Sequence, residues 1–578
     1  MRGSVRALRI ALAAAGLASI GISAWLVLGP SGQGLNVRPI ALALVGYAML
    51  VGMDWLGSDD DSRTAQALQR LAAGGLLGLL MIVIRDWHIE GPPFAQGIAP
   101  IVFFGFLVHH SLSPKWRPTL FLLLSLAAIL LIFGTTGAWI VAIGIVLVGL
   151  CHLPVDWRLR AGLASAAGLT LILMRGGTID SPWPAAIWPI IASIFMFRLI
   201  VYLYDLKNGK IPESWPRRLS YFFLLPNPAF PLFPVVDAQT YFSQYFRTDA
   251  GALYLRGITW MTRGIVHLLL YRFIYRELAM SAVDVHTGGQ LVLYLLTNFG
   301  LYLRISGQFH LAIGVLHLFG HGLPLTNNWY WLASSFSDLW RRINIYWKEF
   351  MQKLIFFPVF MKIRNWRFGE TAAVIAASLL VFVATWFLHS YQWFWILGTW
   401  LITGPDILFW SILALLMTAN TLWERRKGAK KLAKRAGARA RVGLALRTVG
   451  VFTTITVLWS LWNSPSIGEF FRLFAVVEWG AATTWLWLVA YVGIAGAIAT
   501  VARAVSEGGF GLDAPKREFM PQVATIGVVL AALAVGVRPV VTERMSLEAQ
   551  VAFRAIRRGE LSERDAELIR RGYYENLV

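Results

Sequence analysis

The chain has 578 residues, of which 57% are hydrophobic and 14% charged, with a mean hydropathy of +0.60; a soluble domain of this size carries about 25% charge. That balance excludes a soluble globular enzyme, and the recurring apolar runs, each roughly 17–25 residues long, match the length a bilayer requires. The net charge of +21 does not mark a nucleic-acid-binding protein: there is no soluble basic domain to bind one, and Lys and Arg gather in loops as the positive-inside rule predicts. A β-barrel is excluded too, because its strands would alternate apolar and polar residues while these segments are apolar all round. The expected fold class is all-α, a polytopic transmembrane helical protein.

At the N-terminus, Arg2, Arg6 and Arg9 precede "IALAAAGLASIGISAWLVLG". The apolar part exceeds the ~7–15 residues of a signal-peptide core, so it is expected to be an uncleaved first span with a cytoplasmic N-terminus. With this first span at 10–29, others are expected at 39–56, 67–84, 98–112, 118–134, 137–152, 159–175 and 185–204. The loops "SLSPKWRP", "DWRLR" and "DLKNGKIPESWPRR" are basic and read as cytoplasmic, whereas "GTTGA" and "GGTIDSPWP" carry no Lys or Arg and fall on the other side. "GSDDDSR" is acidic yet falls inside by this count. Its Asp59, Asp60 and Asp61 fit a solvated turn better than a metal site. The single cysteine, Cys151, can form neither an internal disulfide nor a cysteine-rich metal site and reads as a small buried apolar residue.

The middle of the chain, 205–370, has a different texture. Pro226, Pro228, Pro231 and Pro234 interrupt an apolar run, which predicts a re-entrant segment rather than a plain span. Helices are expected at 251–278 and 290–320, both carrying charges such as Arg256, Arg263, Arg272 and Arg304. "SSFSDLWRRINIYWKEFMQK" follows, from Ser334 to Lys353. Ser335 and Asp338 fit a capping box at its start. At helical spacing Trp340, Asn344, Trp347 and Met351 share one face, and Arg341 and Lys348 lie on another. An interfacial amphipathic helix explains most of these residues. It leaves Asn344, an amide among aromatics, without an account.

Spans are expected again at 371–389, 394–417, 444–462, 479–502 and 522–540. Between the second and third of these lies "ERRKGAKKLAKRAGARARVGLALR", ten bases to one acid, expected in the cytoplasm against anionic membrane lipids. From Val541 onward the chain is soluble in character and helical in pattern, on the far side of the membrane by this count. No internal repeat is visible, which weighs against transporter folds built from repeated halves. The expected division is 1–204, N-terminal spans; 205–417, core; 418–540, basic loop and C-terminal spans; 541–578, tail.

Two histidine settings invite chemistry. His389 is the only His, Asp, Glu, Lys or Arg between Glu370 and Asp406. Ionisable residues inside spans are costly and are functional candidates, and a neutral imidazole is a competent general base. The competing account is a histidine packed against a backbone carbonyl. His317 and His321, at i and i+4 with His310 a heptad earlier, would share a helix face able to hold a metal, but no third ligand of the usual type stands nearby, so no metal is expected.

The stretch Leu301–Phe350 resembles the membrane-bound O-acyltransferase family, in particular the bacterial members that acetylate alginate or add D-alanine to teichoic acids. The resemblance rests on Ser306-Gly307, Ala312-Ile313-Gly314, Asn327-Asn328 and Leu339-Trp340-Arg341-Arg342-Ile343-Asn344. A second signature matches Leu388-His389-Ser390 followed by Trp393, Trp395 and Gly398, and the proline-rich segment matches more loosely. Arg304 and His310 stand where the family has aspartates, and Leu388 where it has tryptophan. The resemblance implies a membrane-embedded core in which His389 takes the proton of an acceptor hydroxyl. Asn344 would orient the reactants or donate to the developing oxyanion, and Arg341 and Arg342 would pair with donor phosphates on the cytoplasmic side. Trp340 and Ser306 would line the substrate path. It further implies an acyl-CoA or carrier-protein thioester as co-substrate without a bound cofactor and a bacterial inner-membrane location; the charge and placement of the C-terminal tail add the expectation that an extracytoplasmic partner docks there.

Overall fold

The computed structural model describes residues 2–29, 36–56, 63–91, 93–191, 197–224, 236–365, 369–400, 402–427, 438–507 and 519–535. The aspartate turn, the four prolines, the middle of the basic loop and the whole C-terminal tail lie outside the described residues, and with them the re-entrant and tail-docking expectations.

Among the described residues the protein is helical, and its single β-bridge joins Tyr245 to His321. The first helices are α1 (Arg2–Leu28), α2 (Val37–Leu56), α3 (Arg63–Asp86), α4 (Ala99–His109), α5 (Arg117–Phe133), α6 (Thr135–Cys151) and α7 (Trp157–Arg175). The central part holds α8 (Trp188–Ile190), α9 (Phe197–Lys207), α10 (Trp215–Phe222), α11 (Ala238–Ser243), α12 (Ala250–Phe273), α13 (Gly288–Gly300), α14 (Tyr302–Leu318), α15 (Phe336–Arg342), α16 (Ile345–Met351) and α17 (Phe357–Arg364). The chain continues through α18 (Gly369–Leu397), α19 (Gly404–Lys427), α20 (Ala438–Trp462), α21 (Ile467–Ala475), α22 (Ala482–Glu507) and α23 (Phe519–Val535). Seven of them, α1, α2, α3, α18, α19, α20 and α22, are long and apolar enough to cross a membrane, so the chain is a polytopic helical membrane protein.

Several expected spans are shorter or broken. The 17-residue helices α5 and α6 reach only about 25 Å at 1.5 Å per residue, against a hydrocarbon core of about 30 Å. They form a tight hairpin because Gly134, at φ 55°, reverses the chain between them. The run expected over 98–112 stops at His109, after 11 residues. Of the segment expected over 185–204, the described part is a 3₁₀ turn after Pro184, α8 with Pro189 in its first turn, and α9 from Phe197 onward; 192–196 lie outside the described residues. The segment 290–320 divides between α13 and α14 at Leu301.

The expected boundary within 371–417 also moves. α18 runs unbroken past His389 to Leu397 and ends at Gly398, in left-handed conformation at φ 81°. From α7, Arg175 donates Nε to the Trp395 carbonyl and Nη2 to that of Ile396, both at 2.8 Å. A cation on the orphan carbonyls of a helix C-terminus stabilises that end. α19 then starts with its own reciprocal cap, Thr403 with Asp406 at 3.2 Å in each direction between side chain and backbone.

The positioning element at the centre is the antiparallel pair α12 and α14. Gly257 faces Gly314 and Gly264 faces Gly307, so the backbones touch: a Cβ on Gly264 would lie 2.6 Å from the Gly307 carbonyl. Such glycine seams let membrane helices gain close van der Waals contact where hydrocarbon offers no hydrophobic drive. α14 is tied to the loop that precedes α15 and α16 by the Tyr302 hydroxyl, which donates to Asn327 Oδ1 at 3.2 Å.

Candidate functional site

The stretch 334–353 is not one helix. α15 begins at Ser335, whose Oγ accepts from the Asp338 amide at 3.1 Å. The return arm of the expected capping box comes from a neighbour: Ser334 N donates to Asp338 Oδ2 at 3.0 Å. α15 ends after Arg342, Ile343 is extended, and Asn344 is left-handed at φ 40° and ψ 60°. Trp340, Asn344, Trp347 and Met351 therefore do not share a helix face as the spacing predicted.

Asn344 instead opens α16. Its Oδ1 accepts from the Trp347 amide at 3.4 Å, and its own amide donates to Asn327 Oδ1 at 2.9 Å. The loop Thr326–Asn328 clamps the inversion from outside. Ile345 N donates to the Thr326 carbonyl at 2.7 Å, and Asn328 N to the Arg342 carbonyl at 2.8 Å. Asn327 also accepts from the Tyr302 hydroxyl of α14 at 3.2 Å. Asparagine tolerates the left-handed region better than most residues because its short polar side chain bonds locally. The two asparagine-bearing motifs of the sequence thus lock into one joint.

From that joint Trp347 reaches α18. Its Nε1 donates to Thr385 Oγ1 at 3.3 Å, and its ring lies 5.7 Å from that of His389, one turn further along. Two more indoles complete the surround: Trp410 of α19 stacks on the imidazole at 5.2 Å, and Trp462 of α20 meets it edge-on at 5.9 Å. Trp462 is held by Nε1 donating to Asp406 and by stacking with Phe409 at 4.8 Å. His389 is partly buried, and among the described residues it makes no hydrogen bond. Packing against a backbone carbonyl, the alternative raised for this residue, is not what holds it. Asn344 and His389 are brought to the two sides of one residue, Trp347.

The remaining predicted residues divide. Trp340 is apolar wall, 5.2 Å from Phe382. Arg341 is exposed and makes no ion pair or hydrogen bond among the described residues. Arg342 is already engaged: Nε pairs with Asp338 at 2.9 Å and Nη1 donates to the Asn328 carbonyl at 3.4 Å. Ser306 stands apart from the His389 box. It is fully buried on α14, hydrogen-bonded to His267 Nδ1 of α12 at 2.9 Å and donating to the Leu303 carbonyl at 3.2 Å.

His267, Thr326 and Thr385 were not singled out by sequence; Asn327 entered only within the Asn327-Asn328 motif, and His310 only as a departure from the family's aspartates and a heptad mate of His317. His310 Nδ1 lies 3.4 Å from Thr326 Oγ1, and its ring is 5.2 Å from that of His267. Polar groups therefore run from the α12–α14 seam through the 326–328 loop to Asn344 and the His389 box. The asparagine-rich turn was the available signal for Asn327; nothing local marked His267. His317 and His321 do not form a metal-binding face, because α14 ends at Leu318 and Gly320, at φ 96°, turns the chain. His317 Nδ1 is bonded to the Ile313 carbonyl at 2.7 Å, and His321 stacks on Tyr241 at 4.1 Å. Cys151 is buried, with Sγ on the Leu147 carbonyl at 3.3 Å.

Compared with known proteins, the chain matches no family model and no curated protein.

Proposed function

We propose that the chain is an O-acyltransferase of a bacterial inner membrane, built on a core of the membrane-bound O-acyltransferase type. It transfers a small acyl group, acetyl in the first instance, from a CoA or carrier-protein thioester to a hydroxyl of a cell-surface polysaccharide. The observation that carries this reading is His389: an imidazole inside a span, walled by three indoles and bonded to none of them. A group whose burial is costly and whose nitrogens stay unbonded is suited to a proton-transfer partner that arrives with the substrate.

The chemistry follows from what each residue has left to give. His389 accepts the acceptor's hydroxyl proton as the oxygen attacks the thioester carbonyl. When the tetrahedral intermediate collapses, the thiolate leaves and takes that proton back from the imidazolium. Asn344 spends Oδ1 on the α16 cap, so its Nδ2 is the donor available to the oxyanion, the place where a preorganised hydrogen bond has most effect. Arg341 rather than Arg342 is the cation free to meet donor phosphates.

The test uses purified protein in nanodiscs with radiolabelled acetyl-CoA and with an acyl-carrier thioester, wild type beside His389→Ala. Wild-type release of free thiol, reduced at least about 100-fold in the variant, is the expected result. Equal release from both proteins would remove His389 from the chemistry and favour instead a transporter of a lipid-linked glycan or a non-enzymatic membrane scaffold.

A further inference from the structure

A cavity whose lining does not include His389 lies where the N-terminus of α7 meets the C-terminus of α9. Its volume is about 310 Å³, at the lower end of the ~300–1,000 Å³ range of ligand pockets. The floor is aliphatic, built from Ile200 and Leu203 of α9 and Leu354 from the π-helical turn that follows α16. Two cations lie at the polar side. Lys207 Nζ sits 3.9 Å from the ring of Trp157, which fixes the ammonium beside the opening. Arg160 is braced by Nη2 donating to the Leu153 and Val155 carbonyls at 2.8 and 3.2 Å, while its Nε is shielded from solvent and has no hydrogen-bond partner.

No carboxylate answers these two charges. The nearest acid on α9, Asp205, is fully buried and already paired with Lys353 at 2.6 Å; Lys353 also lies 3.5 Å from Asp237. Among the described residues neither Arg160 nor Lys207 has an ion-pair partner, and the cavity's lining contains no Asp or Glu. Arg158 adds a further exposed positive charge on the same turn. Exposed Trp157 and Trp215 stand at this end of the helices, beside the basic loops 153–160 and 205–218. Interfacial tryptophans and basic loops mark the headgroup level on the cytoplasmic face.

We infer that this cavity binds an anionic phospholipid of the surrounding bilayer. The phosphate would sit between Arg160 and Lys207, and the first part of one acyl chain would lie on Ile200, Leu203 and Leu354. The charge calls for an anion, and the aliphatic floor calls for an amphiphile rather than a free anion. Basic pockets between membrane helices take anionic headgroups for these reasons. This site is independent of the basic loop 424–447 and of the reaction proposed at His389.

Native mass spectrometry of the full chain released from detergent tests it, with phosphatidylglycerol, phosphatidylcholine or inorganic phosphate added. Wild type should retain phosphatidylglycerol at least about tenfold over phosphatidylcholine. Lys207→Gln, which gives up no hydrogen bond or ion pair among the described residues and only the cation–π contact with Trp157, should lower that preference several-fold, and Arg160→Gln should lower it further. Leu203→Trp, which fills the floor, should reduce retention of both lipids. Displacement of the lipid by inorganic phosphate at equal concentration would show a plain anion site and overturn the lipid assignment. Unchanged preference in Lys207→Gln, which keeps every backbone bond of the region, would overturn the site itself.

Discussion

The α12–α14 seam makes a prediction whose sign depends on two opposed effects. In Gly264→Ala the new methyl would sit 2.6 Å from the Gly307 carbonyl oxygen and 2.8 Å from the Leu311 nitrogen. Both are backbone atoms, so no side chain can swing aside and the helices must part by several tenths of an ångström. Forced separation of a packed seam costs about 1–3 kcal/mol. Against it stands the gain from removing a helix-interior glycine, at most about 1 kcal/mol. The net expectation is a loss of about 1–2 kcal/mol. Gly162→Ala in α7 isolates the second effect, since nothing lies within 4 Å of the added methyl. That variant should be neutral or more stable. Thermal unfolding in one detergent, followed by tryptophan fluorescence, compares the two. Because Ser306 adjoins Gly307 and bonds His267 on the opposite helix, Gly264→Ala should also weaken the buried 2.9 Å hydrogen bond. If Gly264→Ala unfolds no earlier than Gly162→Ala, the close approach described here is wrong.

Two further outcomes are expected. Asn344→Gly keeps the left-handed backbone and loses only the cap, so stability should change by a few tenths of a kcal/mol; on the proposed reading, in which its Nδ2 is the oxyanion donor, acyl transfer should fall about 100-fold or more, and transfer within a few-fold of wild type would assign Asn344 to folding alone. In the turn after α14, burial pushes the His321 imidazole down to about 3, below the ~6.5 of an unfolded histidine. Its neutral form is native, so its contribution is fully present above pH 6.5 and lost as pH falls toward 3, by roughly 2 kcal/mol at pH 5. His109, His317 and Arg217 act on it in the same direction. The loss of melting temperature between pH 7 and pH 5 should therefore be smaller in His321→Phe than in wild type, and identical slopes would contradict this assignment.

Much of the helical order was legible because it is locally encoded. α2 and α3 lie within a few residues of their apolar runs, and the start of α15 was visible in Ser335 and Asp338, because a cap needs only residues three apart. The misses have non-local causes. The end of α18 depends on Arg175, 220 residues earlier than the Trp395 carbonyl it meets. The inversion at Asn344 depends on Asn327 and Thr326, so a run with good helical spacing concealed a left-handed residue held from another loop. The Ser306–His267 pair needed the register of α12 against α14, which the heptad spacing of Gly257 with Gly264 and of Gly307 with Gly314 encodes only as a pair.

That distinction bears on which polar residues await a ligand. In a chain this apolar, each buried polar group must find a partner or carry a desolvation penalty of about 1–3 kcal/mol. Arg342 has Asp338 and the Asn328 carbonyl; Ser306 has His267 and Leu303. These groups are accounted for as structure, although Arg342 and Ser306 fit the family motif as well as any other position. Unspent capacity remains at several places, among them both ring nitrogens of His109 and of His110 and the Nε2 of His317; three further groups stand along the Asn344 joint. His389 has no hydrogen bond among the described residues, and Asn327 Nδ2 is buried without a partner beside the Asn344 joint. Arg341 carries an unpaired charge at the outer end of the same two-helix corner. The unmet base, amide donor and cation follow the 327–344–347–389 connection, where a reacting acyl group would need them, and not the Ser306–His267 end of the polar run. The residues that match the motif but are internally satisfied should therefore respond to substitution through stability, and those left unsatisfied through turnover.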